Sequence, residues 1–158
     1  MPKWPLPLAM AVATISAVPA TAQDTSEADV LAVVDTFFQG LNNADSRAMK
    51  SVVTDIAIAV AIVPGRNDRE VFAETLEDSI DRLADGKGRF QEVIRERTAI
   101  VEGPIAVVWA PYAFYEDGEL SHCGTNVLNL LRIGRKWKVT GVQYSVDTEG
   151  CTAEKILP

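Results

Sequence analysis

From Pro104 to Asp147 the chain consists of three long runs of strand-forming residues, broken only by Asp117-Gly118 and Gly134-Arg135. Asp-Gly favours a two-residue hairpin loop with positive φ, and a loop opening on Gly suits the other primed turn. A meander of this length has one broad apolar face to bury, so it needs a second layer. A fourth strand-like run, 89–101, precedes it across Glu102-Gly103-Pro104. The covering layer lies upstream. Ser26-Glu27-Ala28-Asp29 has the form of a helix cap with an acid three residues on. Val30, Val33, Val34, Phe37, Phe38 and Leu41 then form one helical stripe, ended by Asn42-Asn43. Asp45 opens a short second helix carrying Ala48, Met49 and Val52. Ile56 to Val63, closed by Pro64-Gly65, reads as a buried strand. Asp68 is expected to cap a third helix with Val71, Phe72, Leu76, Ile80 and Leu83 inward, stopped by Gly86. The prediction is α+β: an antiparallel sheet with the three N-terminal helices covering one face. No internal repeat or interdomain linker interrupts residues 23–158, which are expected to form a single domain.

The first residues read differently. Lys3, the mostly apolar stretch Leu6 to Val18, and Ala20-Thr21-Ala22 match the three regions of a secretory signal cleaved after Ala22. The apolar stretch is too short and alanine-rich for a membrane span. No cysteine near the site indicates lipid attachment. Cleavage takes Lys3 away, leaving 14 basic against 22 acidic residues and a net charge of −8. Such a surface is a poor match for nucleic acid or anionic membranes. The expected location is periplasmic or secreted, where disulfides form and persist. Two cysteines allow one bridge, Cys123–Cys151, against the alternative of buried free thiols. Two cysteines and one histidine cannot by themselves supply four ligands, so no metal is expected. No phosphate loop, dinucleotide fingerprint or H-E-x-x-H occurs, and no cofactor is implied.

The turns set a register. Gly134-Arg135 as a two-residue loop pairs Asn126 with Gln143, while Asp117-Gly118 pairs Ala113 with His122. One face then carries Ile105, Val107, Trp109, Pro111 and Ala113, with Leu130, Leu128, Asn126, Gly124 and His122 across from them. The last strand adds Trp137, Val139, Gly141, Gln143 and Ser145, with Asp147 opposite His122. This face is aliphatic at one end and polar at the other, as a ligand pocket would be. It assigns ligand contacts to Trp109, Asn126, Leu128, Val139 and Gln143. The opposite face, with Tyr112, Cys123, Val127 and Tyr144, is too apolar to lie bare in water and calls for a further layer or partner. A bulge in either hairpin would exchange these faces.

The segment Ser121-His122-Cys123-Gly124 holds the only histidine beside a cysteine. Adjacent strand residues point apart, so the two do not form a local catalytic pair. Cys123 lies near Cys151 instead. His122 is either a rim histidine without chemistry or an acid/base oriented by Asp147. Asp55 is a weaker acid candidate. Glu92 and Glu96 alternate with Arg95 and Arg97 as a solvated strand face.

The order of elements resembles the nuclear transport factor 2-like superfamily. More closely, "AVVWAPYAFYEDGELSHCG", "LNLLRIGRKWKV" and the terminal "EGC" are similar to secreted bacterial proteins labelled SnoaL-like or lumazine-binding, over about residues 25–151. That resemblance implies a cone-shaped cavity between helices and sheet, and a homodimer through the sheet's outer face. The superfamily includes isomerases, cyclases and dehydratases beside non-catalytic binders. No residue here carries the lumazine label over, so that ligand is not transferred. Three functions stay open: an exported domain binding a small apolar or amphiphilic molecule, a cofactor-independent isomerase or dehydratase using His122 and Asp147, and a dimeric interaction module.

Overall fold

The computed structural model describes residues 21–65, 68–86 and 88–151. The expected leader lies outside these residues except for Thr21 and Ala22, which begin the first helix. That helix, α1 (Thr21–Asn42), buries Val30, Val34, Phe37, Phe38 and Leu41. Each such side chain is worth about 1.5–3 kcal/mol relative to leaving it exposed. The short α2 (Ser46–Ser51) starts where Asp45 accepts a hydrogen bond from the Ala48 N–H (2.9 Å).

A seven-stranded sheet follows, in the order β2-β1-β7-β6-β5-β3, with β4 also on β5. Its members are β1 (Val53–Pro64), β2 (Arg69–Thr75), β3 (Phe90–Ile94), β4 (Thr98–Glu102), β5 (Ile105–Glu116), β6 (Glu119–Ile133) and β7 (Lys136–Ser145). The sheet is mixed rather than wholly antiparallel, because β1 runs parallel to β7. Helix α3 (Leu76–Asp85) lies between β2 and β3 in the chain. Together α1 and α3 cover the concave side, as expected for the α+β cone.

Four local readings change, the first being that α1 already runs through Ser26 from Thr21, so that residue does not cap it. The run Ile56 to Val63 is half-buried: Ala57, Ala59 and Ala61 face the core, while Ile56 and Ile58 are 79% and 52% exposed. Residues 69–75 form a strand, not the start of a helix. Asp68 belongs to the β1–β2 turn, where its carbonyl accepts from the Gly65 N–H (2.8 Å). The helix cap is Thr75, whose hydroxyl oxygen accepts from the Asp78 N–H (3.1 Å). The run 89–101 divides into β3 and β4, which pair with successive parts of β5.

Both turns form where expected, with φ of 53° at Asp117 and 88° at Gly118. Each hairpin nevertheless contains a bulge. Ile133–Lys136 and Leu130–Val139 pair in the predicted register, but Asn129 then faces Gly141, leaving Thr140 as the extra residue. On the other side Tyr115 faces Leu120 and Phe114 faces His122, leaving Ser121 extra. One added residue reverses which side chains point inward. The concave face therefore carries Ala106, Val108, Ala110, Tyr112 and Phe114 from β5, and Val142 and Tyr144 from β7. Ile105, Val107, Trp109, Pro111 and Ala113 turn away, as do Gly141, Gln143 and Ser145.

The disulfide Cys123–Cys151 is present, with Cα atoms 5.6 Å apart, and ties the chain beyond β7 back onto β6. Between them the backbones approach closely at Gly124, where a Cβ would meet the Ser145 carbonyl. The Tyr112 hydroxyl donates to that same carbonyl (2.9 Å). Gly124→Ala is accordingly expected to cost about 1–3 kcal/mol, by forcing the end of β7 away and loosening Tyr112. An unchanged urea midpoint would contradict this close approach.

Candidate functional site

A cavity of about 560 Å³ lies between the helices and the concave sheet. Its existence follows from side-chain size: β1 presents Ala59 and Ala61 inward, and their small side chains leave volume that the isoleucines on the other side would have filled. Phe37, Phe38 and Leu41 of α1 form one wall, and Leu76, Ile80 and Leu83 of α3 another. The sheet side adds an aromatic row. Phe90 lies against Phe114 (5.7 Å between centroids), and Phe114 stacks on His122 at 4.7 Å and 20°.

The polar groups cluster at one place. Glu92 (β3), Phe114 (β5) and His122 (β6) occupy one cross-strand row. Asn126, two rows further along β6, reaches the Glu92 carboxyl, its Nδ2 donating to Oε1 at 2.5 Å. Glu92 is only 8% exposed. Its backbone is held by Asn42 at the end of α1, whose Oδ1 accepts from the Glu92 N–H (2.6 Å) and whose Nδ2 donates to its carbonyl (3.0 Å). The asparagine expected simply to stop α1 thus fixes the strand position of the buried acid.

Burial controls the charge of this cluster. Loss of solvation pushes the Glu92 carboxyl up to about 7, the Asn126 hydrogen bond opposing only in part. Desolvation likewise raises the phenols of Tyr112 and Tyr144, with the nearby Glu92 contributing to both. It lowers the His122 imidazole and so favours its neutral form. At the outer part of the cavity Arg82 is engaged by Glu74 and contacts Ser79 Oγ (3.3 Å).

Of the residues singled out from sequence, His122 and Asn126 line this cavity, and Leu128 and Val139 are buried in the adjoining core. Trp109, 54% exposed, and Gln143 are on the outer face, beside a shallower depression with Val127. The bulges at Ser121 and Thr140 put them there. Asp147 pairs with Cys123 rather than His122, so it shares the cysteine's face. Its Oδ1 accepts from the N–H groups of Glu149 (3.1 Å) and Gly150 (2.8 Å) in the turn leading to Cys151. His122 Nδ1 is 3.1 Å from Ser121 Oγ. Asp55 is not among the cavity-lining residues. Glu92, Tyr112 and Tyr144 were missed as site residues. The only sequence signal for Glu92 was an acid within the strand-like Phe-Gln-Glu-Val-Ile run. Among the described residues no group of three His, Cys, Asp or Glu is placed to hold a metal ion. None of the described helices is long and apolar enough to cross a membrane.

The family model of the SnoaL-like domain matches residues 30–149. The chain belongs to the SnoaL-like domain family. No curated protein matches it. Solved structures share the fold of this SnoaL-like domain at low identity. One is a candidate dehydratase of the nuclear transport factor 2-like family from Streptomyces avermitilis, with 16% identity, TM-score 0.66, and 81% of this chain and 100% of that chain covered. Another is the β subunit of a candidate aromatic-ring-hydroxylating dioxygenase from Novosphingobium aromaticivorans, with 14% identity, TM-score 0.64, and coverage of 82% and 94%. A third is a nuclear transport factor 2-like protein of unknown function from Pseudomonas putida, with 11% identity, TM-score 0.65, and coverage of 80% and 90%.

Proposed function

We propose that this SnoaL-like protein is an exported binding domain whose small, largely apolar ligand occupies the cavity between α1, α3 and the concave sheet. The observation that carries this reading is the cavity itself. It has about 560 Å³ of space, apolar walls on three sides and a single deep polar cluster, the pattern expected of small-molecule sites. Export after cleavage behind Ala22 is supported by the Cys123–Cys151 bridge, which persists in oxidising compartments. The outer face, with Trp109, Ile105 and Leu131 exposed, is read as the contact surface of a homodimer.

Native mass spectrometry of the protein recovered from the periplasm tests all three parts. The expected result is a chain starting at Gln23, dimeric, with a small organic molecule retained. Trp109→Glu is expected to give monomers that keep the ligand. A chain that comes out ligand-free, and binds no member of an apolar compound panel, would sink the binding reading.

A second reading is a cofactor-independent isomerase or dehydratase; the Streptomyces avermitilis neighbour is a candidate dehydratase. It is favoured by one observation: Glu92, held near 7, and His122 line the same cavity and are candidates for proton transfer near neutral pH. In this reading Glu92 takes the place first given to Asp147. Glu92→Gln and His122→Ala should each abolish turnover while sparing binding, and turnover that survives both changes would remove this reading.

A further inference from the structure

Charge is unevenly placed along this chain. From Leu120 to Val146 there is no acidic residue, while Arg132, Arg135, Lys136 and Lys138 fall within seven positions around the β6–β7 turn. The net negative charge therefore resides elsewhere on the surface. Gly134 takes a φ of 64° and closes the hairpin, so the turn is the projecting end of two paired strands. Arg132, Arg135 and Lys136 are exposed there. Ile133, which pairs across the turn with Lys136, is 57% exposed. On the opposite side of the hairpin Arg132 lies over the Trp137 ring, 5.7 Å from its centroid. Lys138 donates to the Ser51 carbonyl at the end of α2. Among the described residues none of the four cations is in an ion pair. The one acid in the adjoining cross-strand row is Glu102, separated from Lys138 by Ile105 and Leu131. Neither hollow described above includes this turn.

We propose that the β6–β7 turn docks this protein on an anionic phospholipid surface, with Ile133 entering between the headgroups and the surrounding cations meeting their phosphates. Charge complementarity selects an anionic partner. The apolar side chain at the tip then decides which one. A nucleic-acid backbone would engage the cations and leave Ile133 in water. An acidic peptide would need a groove or a free strand edge, and a two-residue turn offers neither. A bilayer accepts both parts at once, the cations at headgroup level and the apolar group just below it. The acids that set the chain's overall charge lie outside this stretch, and salt screens those more than about 10 Å away. The surface lies apart from the cavity, so it stands or falls independently of the ligand-binding reading.

Vesicles of phosphatidylcholine, with and without phosphatidylglycerol, test this by co-sedimentation with the exported, disulfide-bonded protein. Binding is expected only where phosphatidylglycerol is present, at about 0.1 M salt, and should be lost near 1 M, where the screening length falls to about 3 Å. At roughly fivefold in partitioning for each cation, Arg135→Gln combined with Lys136→Gln should weaken binding about twenty-five-fold. Ile133→Ser, which leaves every cation in place, should weaken it roughly fivefold. All three positions are exposed, so each variant should melt at the parent's temperature. A parent protein that stays in the supernatant with phosphatidylglycerol at about 0.1 M salt overturns the proposal. So does vesicle binding that the double variant retains in full. Binding to soluble polyglutamate as tight as to the vesicles, and unaffected by Ile133→Ser, would assign the turn to an acidic macromolecule and overturn the membrane assignment.

Discussion

Glu92→Gln is expected to stabilise the protein by about 3 kcal/mol at pH 8 and to leave it nearly unchanged at pH 4. The sign follows from the direction of the shift. Burial raises the carboxyl from 4.5 to about 7, so the folded state holds this proton more tightly than the unfolded chain. The stabilisation from that proton is complete below 4.5 and is lost as the pH rises through 7. Above 7 the folded protein carries an ionised carboxylate that has only Asn126 to offset its lost hydration. At about 1.4 kcal/mol per tenfold change, the interval from 4.5 to 7 gives the stated magnitude. Gln keeps an oxygen for Asn126 to donate to and removes the charge. His122 acts in the opposite sense. Its imidazole is lowered by burial, so its contribution is present above 6.5 and declines as the pH falls through the folded value. Urea denaturation at pH 4, 6 and 8 checks the prediction. A difference between variant and parent that stays constant with pH would show that Glu92 is not held neutral.

Breaking the disulfide is expected to cost roughly 3–4 kcal/mol, from the loop it closes across a sequence separation of 28. The bridge acts on more than chain entropy. It holds the Asp147 turn against β6, where the Asp147 and Cys123 backbones exchange hydrogen bonds of 2.8 and 3.0 Å. Val146, one residue earlier, lines the cavity, and its N–H donates to the Ile62 carbonyl (2.9 Å). Cys151→Ser leaves Cys123 in its buried place and removes only the link, so it isolates the effect. For a domain of this size the loss corresponds to roughly 10 °C in Tm. Parent protein compared with and without reductant should show the same decrease, while Cys151→Ser should be indifferent to reductant. Equal stability of parent and variant under oxidising conditions would contradict a structural role for the bridge.

Much of this architecture is written in short-range pattern. The helical stripe from Val30 to Leu41, the cap at Asp45 and the turns at Asp117-Gly118 and Gly134-Arg135 each depend on neighbouring residues alone, and each forms as read. The Cys123–Cys151 pairing was also legible, because two cysteines leave one choice. Asp68 misled because turn and helix-cap positions favour the same residue types, and pairing of 69–75 with β1 decided between them.

The candidate site was less legible. Ser121 and Thr140 carry no sequence mark of a bulge, yet each shifts a register by one residue. Those two shifts moved Trp109 and Gln143 outward and brought Tyr112 and Tyr144 into the cavity. Glu92 was hidden for a related reason. In sequence it stands just ahead of the charged residues Arg95, Glu96 and Arg97, and only the docking of α1 through Asn42 and the reach of Asn126 across the sheet turn it into a buried acid. The sequence alone determined the elements, the turns and the one possible bridge, because these follow from local propensity and counting. The tertiary structure decided which face of each strand is inside and which carboxyl loses its water, because register and burial depend on contacts between residues far apart in the chain.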